Sequence, residues 1–360
     1  LIYDCENYKN LSTLVSDLDY GVISVRIDRI KEIYLTKKVL FYMITNLFRS
    51  SLKQNYIISI IKIIKPKIII TNIHNSDDFH LTSKLLKDTN IKFMAVQCSH
   101  PTDTVWKTND EIKKIYIQNF LCFSDYDKKE HENRKCKIDK YFTVGSLNVS
   151  LALNHAKTNK IITSPELYDI CLISEPVPIV NGDYAHVENL QESLGKIAEY
   201  THRLAKEENL KIIFSGKYFD KENVDIENHF YKNFLKDYNF NIVPQNSSLL
   251  STYINMMKSK IIVGHISTVL REAFALKKKV LVCKFTGHKD VIFPSDGICI
   301  MEENTSYEEF KTRVKKIIQM NYQDYLKNLS QKEDYIIDTR INTSKFIRMK
   351  IDETIKFENK

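Results

Sequence analysis

A chain of 360 residues is too long for one ordinary hydrophobic core and is expected to divide into about two domains. Its 43% hydrophobic and 27% charged residues are those of a globular protein, and only 8 Gly and 7 Pro exclude a loop-rich, all-β or low-complexity chain. A net charge of +8 suits an anionic partner such as a sugar nucleotide, a phospholipid surface or a nucleic acid, but the lysines are scattered, which speaks against a nucleic-acid-binding module.

Seven cysteines (5, 98, 122, 136, 171, 283 and 299) form no CxxC pair and no zinc-type spacing with histidine. Several sit in strand-like runs as small buried hydrophobes, and a reducing, cytoplasmic compartment is expected. The most apolar stretch, 56–70, is interrupted by Lys62, Lys65, Pro66 and Lys67 and falls short of a membrane span. No signal peptide is read at the start. The chain opens in a strand-like run without an initiator Met, so native residues are expected before Leu1.

Taken in order, residues 1–150 read as a first α/β domain. Residues 1–3 form a short strand, a polar run then opens a helix, and 21–25 form a second strand. A long helical pattern runs from Lys38 to Ile64 and is stopped by Pro66, after which 67–71 form a buried strand. The polar loop 72–78 precedes a helix over 79–86. Strand 92–96 runs into a second polar loop, 97–103. Strands at 115–123 and 141–144 follow, with Gly145 and Ser146 ending the last. Residues 151–168 mix Asn, Lys, Thr, Ser and one Pro without a period and read as a linker.

The alternation restarts in a second domain over 169–335. It contains strand 169–174, a long helix 186–208, strand 210–215, helix 227–238, strand 240–243 and a short helix 249–257. The stretch 260–283 reads strand, tight loop, helix, strand. Ile261, Ile262 and Val263 are a β-branched run stopped by Gly264, and Ser267 or Thr268 supplies an N-cap. Val269, Leu270, Ala273, Phe274 and Leu276 give that helix its apolar face. Residues 297–300 form a last strand, and a Thr-Ser-Tyr-Glu capping box at 305–308 starts a helix ending near Met320. Residues 336–360 are a helical tail packing back on the first domain. The fold class is therefore α/β, with two doubly wound, Rossmann-like parallel-sheet domains facing a cleft.

Ligands of such sheets bind beyond the carboxyl ends of the strands. In the second domain that rule selects Ser174 and Glu175, Lys217, and His265, Ser267 and Thr268. The first turn after Ser267 carries no carboxylate, so its unpaired N–H groups and partial positive charge suit a phosphate, with two hydroxyls and His265 at the same end. Ser and Thr also cap many helices that bind nothing. Lys217 is a partner for a phosphate or a sugar carboxylate, or a solvated loop lysine. Glu175, in a loop stiffened by Pro176 and Pro178, is a base, a nucleophile or a turn residue. His100 and Asp103, with Asp77 behind them, are the candidate bases of the first domain. No GxGxxG, Walker A or GxSxG sequence is present.

Four short motifs carry a family resemblance. They are Gln97-Cys98-Ser99-His100-Pro101 in place of a Gln-His-Gly-like loop, Val144-Gly145-Ser146 closing the first domain, Ser215-Gly216-Lys217, and the hydroxyl-rich turn followed by Arg271-Glu272-Ala273. In this order they resemble the GT-B glycosyltransferases of bacterial surface-carbohydrate synthesis, including Kdo- and sialic-acid-type transferases. The resemblance implies a second domain that holds a nucleotide sugar, with Ser174, Lys217, His265, Ser267 and Thr268 on the donor side. It implies transfer of a sugar, a Kdo or other nonulosonic acid from a CMP donor among the candidates, to a glycan or lipid-linked acceptor of a lipopolysaccharide or capsule. No separate cofactor, no metal and no nucleic-acid partner is expected, and a peripheral contact with the inner membrane surface is. Nucleotide-sugar 2-epimerases and polyol-phosphate transferases of the teichoic-acid kind share the fold and stay open as alternatives.

Overall fold

In the computed structural model, which describes residues 1–5, 8–26, 32–45, 51–99, 115–161, 165–175, 184–236, 238–246, 250–265, 267–285, 293, 296–330 and 336–357, β-branched runs become strands wherever they are short and bounded by turn residues. The chain divides into two units. Unit 1 holds the described parts of Leu1–Pro101, Trp106–Leu147 and Asp338–Lys360; unit 2 holds those of Asn148–Ile337.

Unit 1 contains β1 (Ile2–Tyr3), α1 (Tyr8–Ser12), β2 (Val22–Ile23), α2 (Lys37–Thr45), α3 (Leu52–Ile64), β3 (Ile68–Thr71), α4 (Asp77–Leu85), β4 (Lys92–Val96), β5 (Tyr116–Cys122), α5 (Asp125–Asn133) and β6 (Lys137–Thr143). Its strands pair in parallel in the order β2-β1-β3-β4-β5-β6. Tyr3, Ile57, Ile61, Ile69, Phe79, Phe93 and Phe120 belong to one buried cluster. The single helix predicted over 38–64 is two helices. Ser51 adopts extended backbone and its hydroxyl accepts from the Gln54 N–H, so a new helix begins there. Lys65, in the left-handed region at φ 51°, ends it before Pro66.

Unit 2 begins with α6 (Leu147–Thr158, whose first residue clusters with unit 1), followed by β7 (Tyr168–Ile173), α7 (Tyr184–Glu208), β8 (Ile212–Ser215), α8 (Lys221–Lys232) and β9 (Ile242–Val243). Then come α9 (Ser251–Met257), β10 (Ser259–Gly264), α10 (Thr268–Ala275), β11 (Lys279–Cys283), β12 (Asp296–Gly297) and β13 (Ile300–Met301). The unit closes with α11 (Tyr307–Gln319), α12 (Tyr322–Lys327) and β14 (Leu329–Ser330). Its main sheet is parallel, in the order β13-β11-β10-β7-β8-β9.

Four expectations are corrected here. The predicted linker 151–168 is helical up to Thr158, because Val149, Ala152 and Ala156 fall at helical spacing and are buried. The helix expected over 227–238 starts at Lys221, where Asp220 caps it by accepting from the Asn223 N–H at 3.0 Å. The capping box is Ser306 with Glu309, one residue later than read. Of the strand expected at 297–300, Gly297 pairs antiparallel with β14, and only Ile300 joins the parallel sheet.

The last helix, α13 (Thr343–Phe357), belongs to unit 1. Its approach is fixed by the Val144-Gly145-Ser146 segment. The Asp338 N–H donates to the Phe123 carbonyl at 3.1 Å, and the Thr343 hydroxyl donates to the Val144 carbonyl at 2.5 Å. Gly145 sits at φ +87°, and a Cβ there would lie 2.0 Å from the Asp338 carbonyl oxygen. Farther along, Arg348 Nη1 donates to the Leu14 carbonyl at 3.0 Å and pairs with Asp17. Gly145→Ala is expected to destabilise unit 1 by about 2–3 kcal/mol through left-handed strain and this collision. Urea unfolding would read the loss, and an unchanged midpoint would contradict the close approach.

Candidate functional site

The site is set by strand order. From β7 the chain moves outward through β8 and β9, then returns through α9 to place β10 on the other side of β7. Connections diverge between β7 and β10, and such a switch point leaves a crevice at the carboxyl ends of the strands. Glu175 follows β7, Lys217 follows β8, and His265 and Ser267 follow β10.

Ser267 caps α10 in extended conformation (φ −61°, ψ 138°), its hydroxyl accepting from the Val269 N–H at 3.4 Å. The first turn of α10 holds no acidic residue. Thr268 opens it, half-buried, and His265 is buried at the end of β10. The carboxyl group that approaches this helix start comes from elsewhere. Glu175 accepts a hydrogen bond from Ser267 and feels the positive charge of Lys217. Burial pushes the Glu175 carboxyl above its ordinary range of 4.5, and Lys217 and Ser267 offset only part of that rise. Its Oε2 is buried with no hydrogen-bond partner among the described residues. Lys217 itself is exposed, its ammonium 5.5 Å from the centre of the Tyr218 ring.

Ser174 is placed differently from its neighbours. It is buried, with its hydroxyl bonded to Glu227 and lying 3.3 Å from the Tyr231 hydroxyl, so it braces the site from beneath instead of lining it. Glu227 is the residue that sequence reasoning missed. On α8 it also accepts the Lys217 N–H at 3.0 Å and the Tyr218 N–H, which fixes the β8 loop. Burial raises its carboxyl as well, against the pull of these donors. Gly216 makes the arrangement possible, because a Cβ there would meet Glu227 Oε2 at 2.9 Å and Ile242 Cγ2 at 2.8 Å. Each part of Ser-Gly-Lys thus has a separate task. Ser215 joins Thr252 and Asn255 at 3.1 and 3.2 Å, Gly216 gives room, and Lys217 contributes its amide below and its charge above. The Arg271-Glu272 pair is buried, with Glu272 accepting from the Tyr253 hydroxyl at 2.6 Å.

His100 and Asp103, the expected bases, lie outside the described residues. The beginning of their loop is ordered by Gln97, whose Nε2 donates to Asp127 at 2.7 Å and whose Oε1 accepts the Phe123 N–H at 2.8 Å. His74 is buried and stacked on Phe120, with the Cys98 N–H 3.4 Å from its Nδ1. Asp77 is exposed in the first turn of α4. Among the described residues no group of three or more His, Cys, Asp or Glu is placed to hold a metal ion, and no helix is long and apolar enough to cross a membrane.

A family model described as "putative O-antigen biosynthesis protein" matches residues 140–350. No curated protein matches the sequence. Among solved structures, the UDP-GlcNAc 2-epimerase of Methanocaldococcus jannaschii, in complex with UDP-GlcNAc and UDP, is similar at TM-score 0.56 and 13% identity, over 98% of each chain. The UDP-GlcNAc 2-epimerase of Neisseria meningitidis bound to UDP-GlcNAc is similar at TM-score 0.56 and 14% identity, again over 98% of each. The wall teichoic acid polymerase TagF is similar at TM-score 0.54 and 12% identity, over 100% of this chain and 89% of that one. At these identities the likeness is one of fold, and the fold is of the GT-B type, built from two Rossmann-like domains.

Proposed function

This chain belongs to the family of O-antigen biosynthesis proteins, and from that premise we propose that it is a cytoplasmic enzyme transferring a sugar from a nucleotide-activated donor to a surface glycan or its lipid-linked precursor. The observation that carries this reading is the convergence of Glu175, Lys217 and Ser267 on the switch point of unit 2, beside a helix start free of acidic residues. In the proposed complex the leaving phosphate takes the Ser267 and Thr268 hydroxyls and the first-turn N–H groups, with Lys217 balancing its charge. A CMP-linked acid sugar such as Kdo leaves behind a single phosphate, which matches so small a cradle. On the acceptor side, His100 and Asp103 are the proposed bases that activate the incoming hydroxyl.

Glu175 has a proposed role that its environment defines. Driven toward its neutral form by burial, it can donate a hydrogen bond to the phosphate where an ionised carboxylate would repel it. Donor affinity is therefore expected to fall as pH rises through the raised Glu175 value. Glu175→Gln, which cannot ionise, should flatten that dependence while keeping the affinity seen at low pH. Calorimetric titration across roughly pH 5 to 9 tests this, and a wild-type affinity independent of pH would count against it.

A second reading, a nucleotide-sugar 2-epimerase, is favoured by the two neighbours solved with UDP-GlcNAc. Incubation with CMP-Kdo, CMP-sialic acids and UDP-sugars separates the two. Transfer releases free nucleotide in proportion to acceptor consumed, whereas epimerisation yields a new nucleotide sugar without an acceptor. A protein that neither binds nor turns over any of them would overturn both.

A further inference from the structure

The α2–α3 surface of unit 1 combines two properties that globular proteins usually keep apart. Leu40, Phe41, Ile44, Leu52 and Ile64 are all exposed there, Phe41 at 63%, Ile44 at 68% and Leu52 at 71%. Val39 is the only buried residue of α2, so this helix turns most of its apolar side chains outward. Scattered exposed hydrophobes need no explanation, but a contiguous set on one helix pair marks an interaction surface.

The second property is charge. Acidic residues make up one in eight of the chain (45 of 360), yet none occurs from Ile33 through Ser76. Lys37 and Lys38 occupy the first turn of α2, and Lys62 and Lys65 close α3. These four share one surface groove with Phe41, Tyr42 and Ile63. Two lysines at a helix N-terminus oppose its dipole, a local cost that a negatively charged partner would offset. An apolar face rimmed with lysines is the composition that lies in the plane of a lipid interface.

We propose that the α2–α3 face docks the protein on an anionic bilayer. Leu40, Phe41 and Ile44 enter the headgroup–acyl boundary, while Lys37, Lys38, Lys62 and Lys65 engage acidic headgroups. The charge decides between a bilayer and a second copy of the chain. In a two-fold dimer through this face Lys37, Lys38, Lys62 and Lys65 would meet their own like charges, and the neighbouring carboxylate, Glu32, is already engaged by the Tyr34 hydroxyl. The inference does not rest on the reading of the nucleotide site and stands if that reading fails.

Flotation of the full chain with phospholipid vesicles tests it. Binding is expected to vesicles of phosphatidylcholine containing phosphatidylglycerol, weakening with added salt, and little to phosphatidylcholine alone. Phe41→Ser with Ile44→Ser, both exposed and therefore compatible with an unchanged circular dichroism spectrum, should lower the partition coefficient about tenfold or more. Lys37→Gln with Lys38→Gln should lower it about fivefold for each lysine neutralised. The proposal is overturned if the wild-type chain ignores phosphatidylglycerol vesicles, or if neither variant changes its partitioning. It is equally overturned if Phe41→Ser with Ile44→Ser dissolves a dimer in sedimentation while vesicle binding is absent, since the face then joins two copies.

Discussion

Replacing Ser267 and Thr268 together by alanine is expected to lower affinity for the nucleotide donor by about a hundredfold or more. Hydrogen bonds to a charged group contribute about 1.5–3 kcal/mol each, and this change removes two from the proposed phosphate contacts. The fold should survive. Loss of the Ser267 cap from α10 costs about 1 kcal/mol, small beside the stability of a sheet whose central strands, β7, β10 and β11, are almost wholly buried. Calorimetry with a panel of CMP- and UDP-linked sugars, alongside thermal melting, reads both halves of the expectation. Undiminished affinity for every nucleotide that the wild-type protein binds would remove the cradle.

Glu227→Ala is expected to produce a large loss of stability, about 3 kcal/mol or more, because it strands the Lys217 and Tyr218 N–H groups at about 1–3 kcal/mol each and leaves the Ser174 hydroxyl with only the Tyr231 hydroxyl at 3.3 Å. That is a substantial part of the 5–15 kcal/mol typical of a folded domain. Glu227→Gln keeps an acceptor oxygen in place and should cost much less. The pH dependence has a defined sign. Glu175 and Glu227 are both raised above 4.5 in the folded protein, so the folded state holds more protons than the unfolded one in the window above that value. Their contribution to stability is therefore largest at acidic pH and is lost as pH rises through the folded values. In Glu227→Gln the fall in stability across that window should be shallower, as chemical denaturation at a series of pH values will show. An equally steep fall would assign the effect to other groups.

The strands were legible because their signal is local. Ile68–Thr71, Lys92–Val96 and Lys279–Cys283 are short β-branched or apolar runs between turn residues, and nothing in the tertiary structure overrides them. Helix starts were legible only where the cap was recognised. The cap at Ser267 or Thr268 is legible because the pair follows Gly264 and precedes an apolar face, and the structure selects Ser267, whereas the caps Ser51, Asp220 and Ser306 carry no such signal and the helices they begin read as joined or shifted. The misplaced start at Asp220 also hid Glu227. In the shifted helix that residue stood at the first position, where an acidic side chain needs no further reason. In the true register it lies six residues into α8, buried under Gly216. The candidate site was found through strand ends, which sequence shows, while its supporting contacts come from α8 and the β8 loop, whose pairing depends on the fold as a whole.

Unit 1 is discontinuous along the chain, and that discontinuity sets an order on its synthesis. Its six strands leave the ribosome long before α13, because all of Asn148–Ile337 is translated in between, a delay of roughly ten to forty seconds. Throughout that interval the flank that α13 covers, near Leu14 and Lys67, is left without its last helix. The described residues of unit 2 all come from the run Asn148–Ile337. The strands of unit 1 are therefore made first and the helix that covers them last, with the whole of Asn148–Ile337 in between.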